Sequence, residues 1–247
     1  MPNIYISPST QEYNPYITGS GSEEYWMNRI ADAMEPYLRA NTIRFTRNTP
    51  DMTAASSIAQ AARGSYDFYL ALHSNASGDG FTEGRQRGII AFYYPGSAGG
   101  QRGAELIAKN LREIYPLPDK VTTRPTTALG EVSRSRFPAV LVEIGYHDNY
   151  SDALWLESHV EDVARQLVKA LTEYFGLPFI PPMDPKRGTV RLSYGTLNLR
   201  AAPSSAGTVI ANLPNGAEVT VYGEWNGWYV VQYGDQVGYA AAAYIDV

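Results

Sequence analysis

Tyr66-Asp67-Phe68-Tyr69-Leu70-Ala71-Leu72-His73-Ser74-Asn75 is the stretch that decides the fold. Apart from Asp67, every residue from Tyr66 to Leu72 is apolar, and the run is too short for a free-standing helix. It suits a central strand covered on both faces, where apolar residues run on instead of alternating. The run stops at His73, and small polar residues follow. Ligands of open α/β sheets bind outside the carboxyl ends of the strands. His73 is therefore a candidate metal ligand or proton carrier, and Asn75 a candidate substrate contact on the same rim.

A histidine just past a strand is usually an ordinary surface residue. A second strand with the same ending outweighs that reading. Pro138-Ala139-Val140-Leu141-Val142 delivers Glu143, with Ile144-Gly145-Tyr146-His147-Asp148-Asn149 behind it. If the two strands are parallel, His73 and Glu143 share one sheet edge. A histidine and a carboxylate converging there suit metal-assisted hydrolysis: one anchors the ion, the other handles the proton of a water.

Composition narrows the classes. A chain of 247 residues suffices for one large domain and one small one. A net charge of −5 and the lack of long Lys/Arg runs argue against a nucleic-acid partner. With no cysteine, disulfides, Cys-bound zinc and thiol nucleophiles are excluded, so a metal must use His, carboxylate or amide oxygen. Only His73, His147 and His159 are available as imidazoles. No apolar run reaches membrane-spanning length, so no membrane insertion is expected. Met1-Pro2-Asn3-Ile4 lacks the basic and apolar regions of a signal peptide. A chain released from the cytoplasm late, or one that has lost its leader, is the expectation.

In chain order, Ile4–Ile6 reads as a first strand, followed by a loop carrying Gln11, Glu12, Tyr13 and Asn14. Ser20-Gly21-Ser22-Glu23 has capping-box spacing, with Ser20 as N-cap and Glu23 reaching back to it. That reading gives Glu23 a structural task and leaves Glu24 free in the first helical turn, where a solvated acid is also favoured. Trp26, Ile30, Met34 and Leu38 follow at helical spacing. A strand over 42–46, a helix over 53–63, a rim loop over 77–88, a strand over 89–94 and a helix over 103–114 come next. Residues 115–135 read as loop, and 152–175 as one final helix. The pattern predicts an α/β layer with a mostly parallel, mixed sheet flanked by helices. Residues 178–188, with four prolines, read as a stiff linker between a 1–177 domain and a small all-β barrel over 189–247.

The segments Glu24-Tyr25-Trp26-Met27-Asn28, Leu72-His73-Ser74-Asn75-Ala76 and Pro138–Tyr146 resemble the zinc-dependent N-acetylmuramoyl-L-alanine amidases of bacterial wall turnover and phage lysis, of the family 3 type. The likeness covers residues 1–176. It implies Glu24 and His73 as Zn2+ ligands and Glu143 as the general base that activates water and later protonates the leaving amine. Asn75, Gln11 and His147 are the expected substrate contacts. The tail, through Leu197-Asn198-Leu199-Arg200-Ala201-Ala202-Pro203, Gly227-Trp228-Tyr229 and Gly238-Tyr239-Ala240, resembles a bacterial SH3-like wall-binding module. Trp225, Trp228, Tyr229 and Tyr239 are its candidate groove aromatics, with Trp228 and Tyr239 equally suited to its core. Peptidoglycan is the implied partner, and an endolysin or autolysin the implied role.

One feature departs from the family. Its first zinc ligand is a histidine after strand one, but Ser7-Pro8-Ser9-Thr10-Gln11-Glu12-Tyr13 contains none. Catalytic zinc takes three protein ligands and an open position. Glu12 is the first candidate replacement, Gln11 the second and His147 the third. The alternative is a wall-binding protein whose zinc site has degenerated.

Overall fold

The computed structural model describes all 247 residues. They form two compact units, one of Pro2–Glu35 with Phe45–Leu177, the other of Pro178–Val247 with Pro36–Arg44 and Met1. No helix is long and apolar enough to cross a membrane.

The first unit is built on a six-stranded sheet. Its strands are β1 (Asn3–Pro8), β2 (Arg44–Arg47), β3 (Phe68–Asn75), β4 (Ile89–Tyr93), β5 (Val121–Pro125) and β6 (Ala139–Tyr146), in the order β2-β1-β3-β6-β4-β5. β1, β3 and β6 run parallel, whereas β4 is antiparallel to β6 and parallel to β5. The sheet is mixed, with the parallel strands at its centre.

Residues Phe68–Leu72 of β3 are all buried, which accounts for the unbroken apolar run. On one face Tyr5, Tyr69, Ala71, Ala139 and Leu141 pack with Ala61 of α2 (Ala54–Ala61) and Val132 of α4 (Gly130–Ser133). On the other, α3 (Ala98–Leu111) lies so close that a Cβ on Gly103 would stand 2.6 Å from the Phe68 ring. Any larger residue there would push the helix off the sheet.

Three expectations are corrected. The 115–135 segment is not all loop: it holds β5 and α4. The single final helix is two, α5 (Tyr150–Ser158) and α6 (Val160–Phe175). Between them, His159 Nδ1 lies 2.7 Å from the Trp155 carbonyl and its ring stacks on Trp155. A side chain that bonds the preceding turn competes with the helical ladder, and the helix restarts one residue later. The capping box is also absent: Ser20 Oγ donates to Glu157, and Ser22 Oγ accepts the Tyr25 amide at the start of α1 (Glu23–Ala40).

The second unit carries a seven-stranded antiparallel sheet. β7 (Lys186–Val190), β8 (Thr196–Arg200), β9 (Val209–Pro214), β10 (Glu218–Trp225), β11 (Trp228–Tyr233), β12 (Gln236–Ala241) and β13 (Ile245–Asp246) lie in the order β13-β7-β10-β11-β12-β8-β9. Val190, Leu199, Val221 and Val231 alternate inward to form its core. The proline-rich 178–188 run is only partly a connection, since Ile180 is buried and β7 begins at Lys186.

Candidate active site

His73 and Glu143 are register partners on the adjacent parallel strands β3 and β6. Directly after them the register slips, with Asn75 opposite Tyr146 and Gly145 at φ +77°. The bulge turns the chain away from the sheet, leaving His73 and Glu143 at the rim.

His73 is held by two carboxylates. Its Nδ1 lies 2.8 Å from Glu23 Oε1, and its Nε2 lies 2.8 Å from Glu131 Oε2. Burial opposes charge on the ring, but the two carboxylates outweigh it and hold His73 protonated well above the usual histidine range. Burial likewise opposes charge on Glu23 and Glu131. Their bonds to His73 outweigh it and keep both acids ionised below the ordinary carboxylate range. Glu143 differs. Its Oε2 is buried without a hydrogen-bond partner, and burial, only partly offset by the His73 charge, raises its pKa to about 7. An acid poised there can take and return a proton at neutral pH.

The other sequence candidates fall as follows. Glu24, the expected ligand, does not face His73. Its Oε1 accepts from Asn28 Nδ2 at 2.9 Å, and Asn28 Oδ1 in turn accepts from Arg47. The preceding residue, Glu23, occupies the place, because its amide donates to Asn14 O and its Oε2 accepts from Asn14 Nδ2 at 2.7 Å. Glu12 is exposed, whereas Thr10, Gln11 and Tyr13 line the cavity of about 280 Å³ beside His73. Gln11 comes into the site, its Nε2 being 3.3 Å from Glu23 Oε1 and 3.4 Å from His73 Nδ1. His147 is buried behind the rim, where its ring stacks on Tyr16 and Nδ1 faces the Ser74 carbonyl. It is neither a rim contact nor within the Glu23–His73–Gln11 group. Asn75 is half-buried, with Oδ1 taken by the Ala76 amide and its carbonyl by His147 N.

Comparison with known proteins gives the family. Residues 4–173 match the family model described as N-acetylmuramoyl-L-alanine amidase, and residues 195–246 match that described as bacterial SH3 domain. The chain belongs to the N-acetylmuramoyl-L-alanine amidase family. No curated protein sequence matches it. Among solved structures, the catalytic domain of CwlV from Bacillus (Paenibacillus) polymyxa var. colistinus superposes with TM-score 0.62 at 18% identity, covering 72% of this chain and 100% of that one. AmiC2 of Nostoc punctiforme gives 0.61 at 16% identity over 70% of this chain and 97% of that one. The catalytic domain of the CD27L endolysin targeting Clostridia difficile gives 0.56 at 19%, over 70% and 98%. At these identities the likeness is one of fold.

The amidase domain has no cluster of three or more His, Asp or Glu side chains arranged as a metal site. It does bring three donor groups together. Glu23 Oε1, His73 Nδ1 and the Gln11 terminal amide form a triangle with edges of 2.8, 3.3 and 3.4 Å. Ligand atoms on one face of a tetrahedral zinc ion are about 3.3 Å apart, given bonds of about 2.0–2.1 Å. Gln11 turns Nε2 inward while Oε1 accepts from Tyr13 Oη and Asn14 Nδ2. Rotating the amide presents Oε1 instead and leaves Nε2 able to donate to Tyr13; the 3.3 Å bond from Asn14 is given up, while Asn14 Nδ2 keeps its bond to Glu23 Oε2. With the amide so turned, the three donor atoms match the chemistry and spacing of one face of a zinc ion, and Glu143 lies opposite His73 on the neighbouring strand.

Two site residues escape sequence reading. Glu23 is masked by the capping motif. Glu131, from a proline-rich segment without periodicity, carries no local signal at all. In the SH3 domain, Tyr194, Tyr244 and Trp228 line a cavity of about 470 Å³ with Arg191 and Arg200, while Tyr239 is fully buried in the core.

Proposed function

We propose that the chain hydrolyses the amide joining N-acetylmuramic acid to the L-alanine of the peptidoglycan stem peptide, as a zinc-dependent wall hydrolase of the endolysin or autolysin kind. The single observation that carries this reading is Glu143, the register partner of His73 on the next strand, whose Oε2 is buried without a hydrogen-bond partner. Family membership supports the substrate class, and the SH3 domain supports attachment to the wall.

Glu23, His73 and Gln11 would hold the ion. When bound, zinc lowers the pKa of water toward neutrality and stabilises negative charge on a carbonyl oxygen. Glu143 accepts the proton of the attacking water through its unpartnered Oε2 and returns it to the alanine nitrogen as the C–N bond breaks. Its burial, which favours the protonated form, helps it hold the proton between the two halves of that task. Asn14 and the Ser74 amide hold Glu23 in place, at 2.7 and 3.4 Å. The cavity lined by Ser9, Thr10, Asn48 and Thr53 offers neutral polar groups to a sugar or peptide.

The test is digestion of isolated cell walls by the zinc-loaded chain. Release of new alanine amino groups without new reducing sugar ends supports the amidase. The second reading, a wall-binding protein without catalysis, draws on the absence of histidine from Ser7–Tyr13. Wall binding with no released amines at any zinc concentration would establish it.

A further inference from the structure

Glu131 is a buried charge that the proposed reaction leaves without a task. It lies 3% exposed on the four-residue α4. Ser7 Oγ of β1 donates to its Oε1 at 2.6 Å, and Tyr69 Oη of β3 donates to the same oxygen at 2.8 Å. Oε2 faces only His73 Nε2, at 2.8 Å. The two hydroxyls do not account for the charge, because a neutral amide of the same size would accept from both without the cost of desolvating a carboxylate.

The arrangement has a direction. With both hydroxyls on Oε1, the lone pairs of Oε2 are left for Nε2. Without metal both ring nitrogens face a carboxylate at 2.8 Å and both carry protons; an ion taken up between Nδ1, Glu23 and Gln11 displaces the Nδ1 proton, and Glu131 Oε2 then holds the remaining proton on Nε2. Nδ1 is the nitrogen that faces Glu23 and Gln11.

We infer that Glu131 is a positioning residue that fixes His73 as its Nε2–H tautomer, aims Nδ1 at the zinc ion and strengthens it as a donor. The inference rests on the zinc reading. It also accounts for how a site with only one histidine and one carboxylate among its ligands retains the ion, since a carboxylate behind a ligating histidine raises its basicity.

The test uses the full chain and Zn2+ itself. Zinc affinity is measured by competition with a chromophoric chelator for the wild type and for Glu131→Gln, which keeps the size of the side chain and removes its charge. Affinity about 10–100-fold weaker in the variant is expected. Equal affinity in a folded variant overturns the role of Glu131 alone. A wild type that takes up no zinc overturns the zinc reading and this inference with it. A second measurement needs no variant and decides the matter if Glu131→Gln does not fold. Nitrogen-15 NMR of the imidazoles in the zinc-loaded wild type should show His73 protonated at Nε2 and metal-shifted at Nδ1. A proton on Nδ1 overturns the inference.

Discussion

Glu23 Oε1 stands 2.8 Å from His73 Nδ1, while Glu24, one residue further on, gives its carboxylate to Asn28. Two adjacent acids on the first turn of one helix thus have separate fates, set by about 100° of rotation per residue.

Zinc content separates those fates. Glu23→Ala should lose the ion, whereas Glu24→Ala should retain it. By the same geometry, Gln11→Ala should weaken zinc binding and the exposed Glu12→Ala should leave it unchanged. Elemental analysis after dialysis reads all four. Zinc retained by Glu23→Ala and lost from Glu24→Ala would reverse the assignment.

Glu143→Gln should bind zinc and fold, yet lose wall hydrolysis by about 10²–10⁴-fold, the usual worth of a positioned acid–base group. In the wild type, the rate should fall as pH drops through the Glu143 titration, because only the carboxylate accepts the water proton. That titration is near 7 in the metal-free chain and lower beside a dication. The acid limb of kcat/KM should be gone from the residual activity of the variant. Wild-type rates in Glu143→Gln would remove the residue from the mechanism.

The same burial predicts a stability effect without any metal. Glu143 is raised from 4.5 to about 7 on folding, so the folded chain holds this proton more tightly than the unfolded one. Stability from this group is therefore present below pH 4.5 and is lost as pH rises through 7. At pH 8 the loss is on the order of 3 kcal/mol, at about 1.4 kcal/mol per unit. Metal-free Glu143→Gln should unfold at higher denaturant than the wild type at pH 8, with the gap narrowing toward pH 5. A gap that does not depend on pH would contradict this.

Asp152 tests the frame behind the rim. Fully buried, it accepts from Arg87 Nε and Tyr115 Oη at 2.8 and 2.6 Å, and from the amides of Gly88 and Tyr146. Asp152→Ala strands those donors and should cost on the order of 3 kcal/mol. For a chain of this size that lowers the thermal midpoint by about 6–12 °C. Calorimetry on the metal-free protein measures it, and a shift under 2 °C, about half a kcal/mol, would reject the role.

The parts legible in sequence are those with one dominant cause. β3 and β6 are covered on both faces, so their apolar runs announce them, and His73 and Glu143 mark where burial ends. The two helices read as one share a continuous apolar stripe, and the break at His159 comes from a ring–carbonyl bond that no periodicity records. Glu23 was hidden by a motif that explained it equally well as a cap. Glu131 is brought to His73 by contacts 58 residues apart in the chain, so only the folded sheet places it.

The pairing of His73 with Glu143 across two hydrogen-bonded strands also bears on how such a site can change over time. Their separation is inherited from strand spacing, about 4.8 Å, and owes nothing to the loops around them. The segments that supply Gln11 and Glu131 can therefore be exchanged, lengthened or rewritten without retuning the distance between base and imidazole. A lineage could surrender a loop histidine and recruit an amide in its place while the reacting pair stays where the backbone puts it.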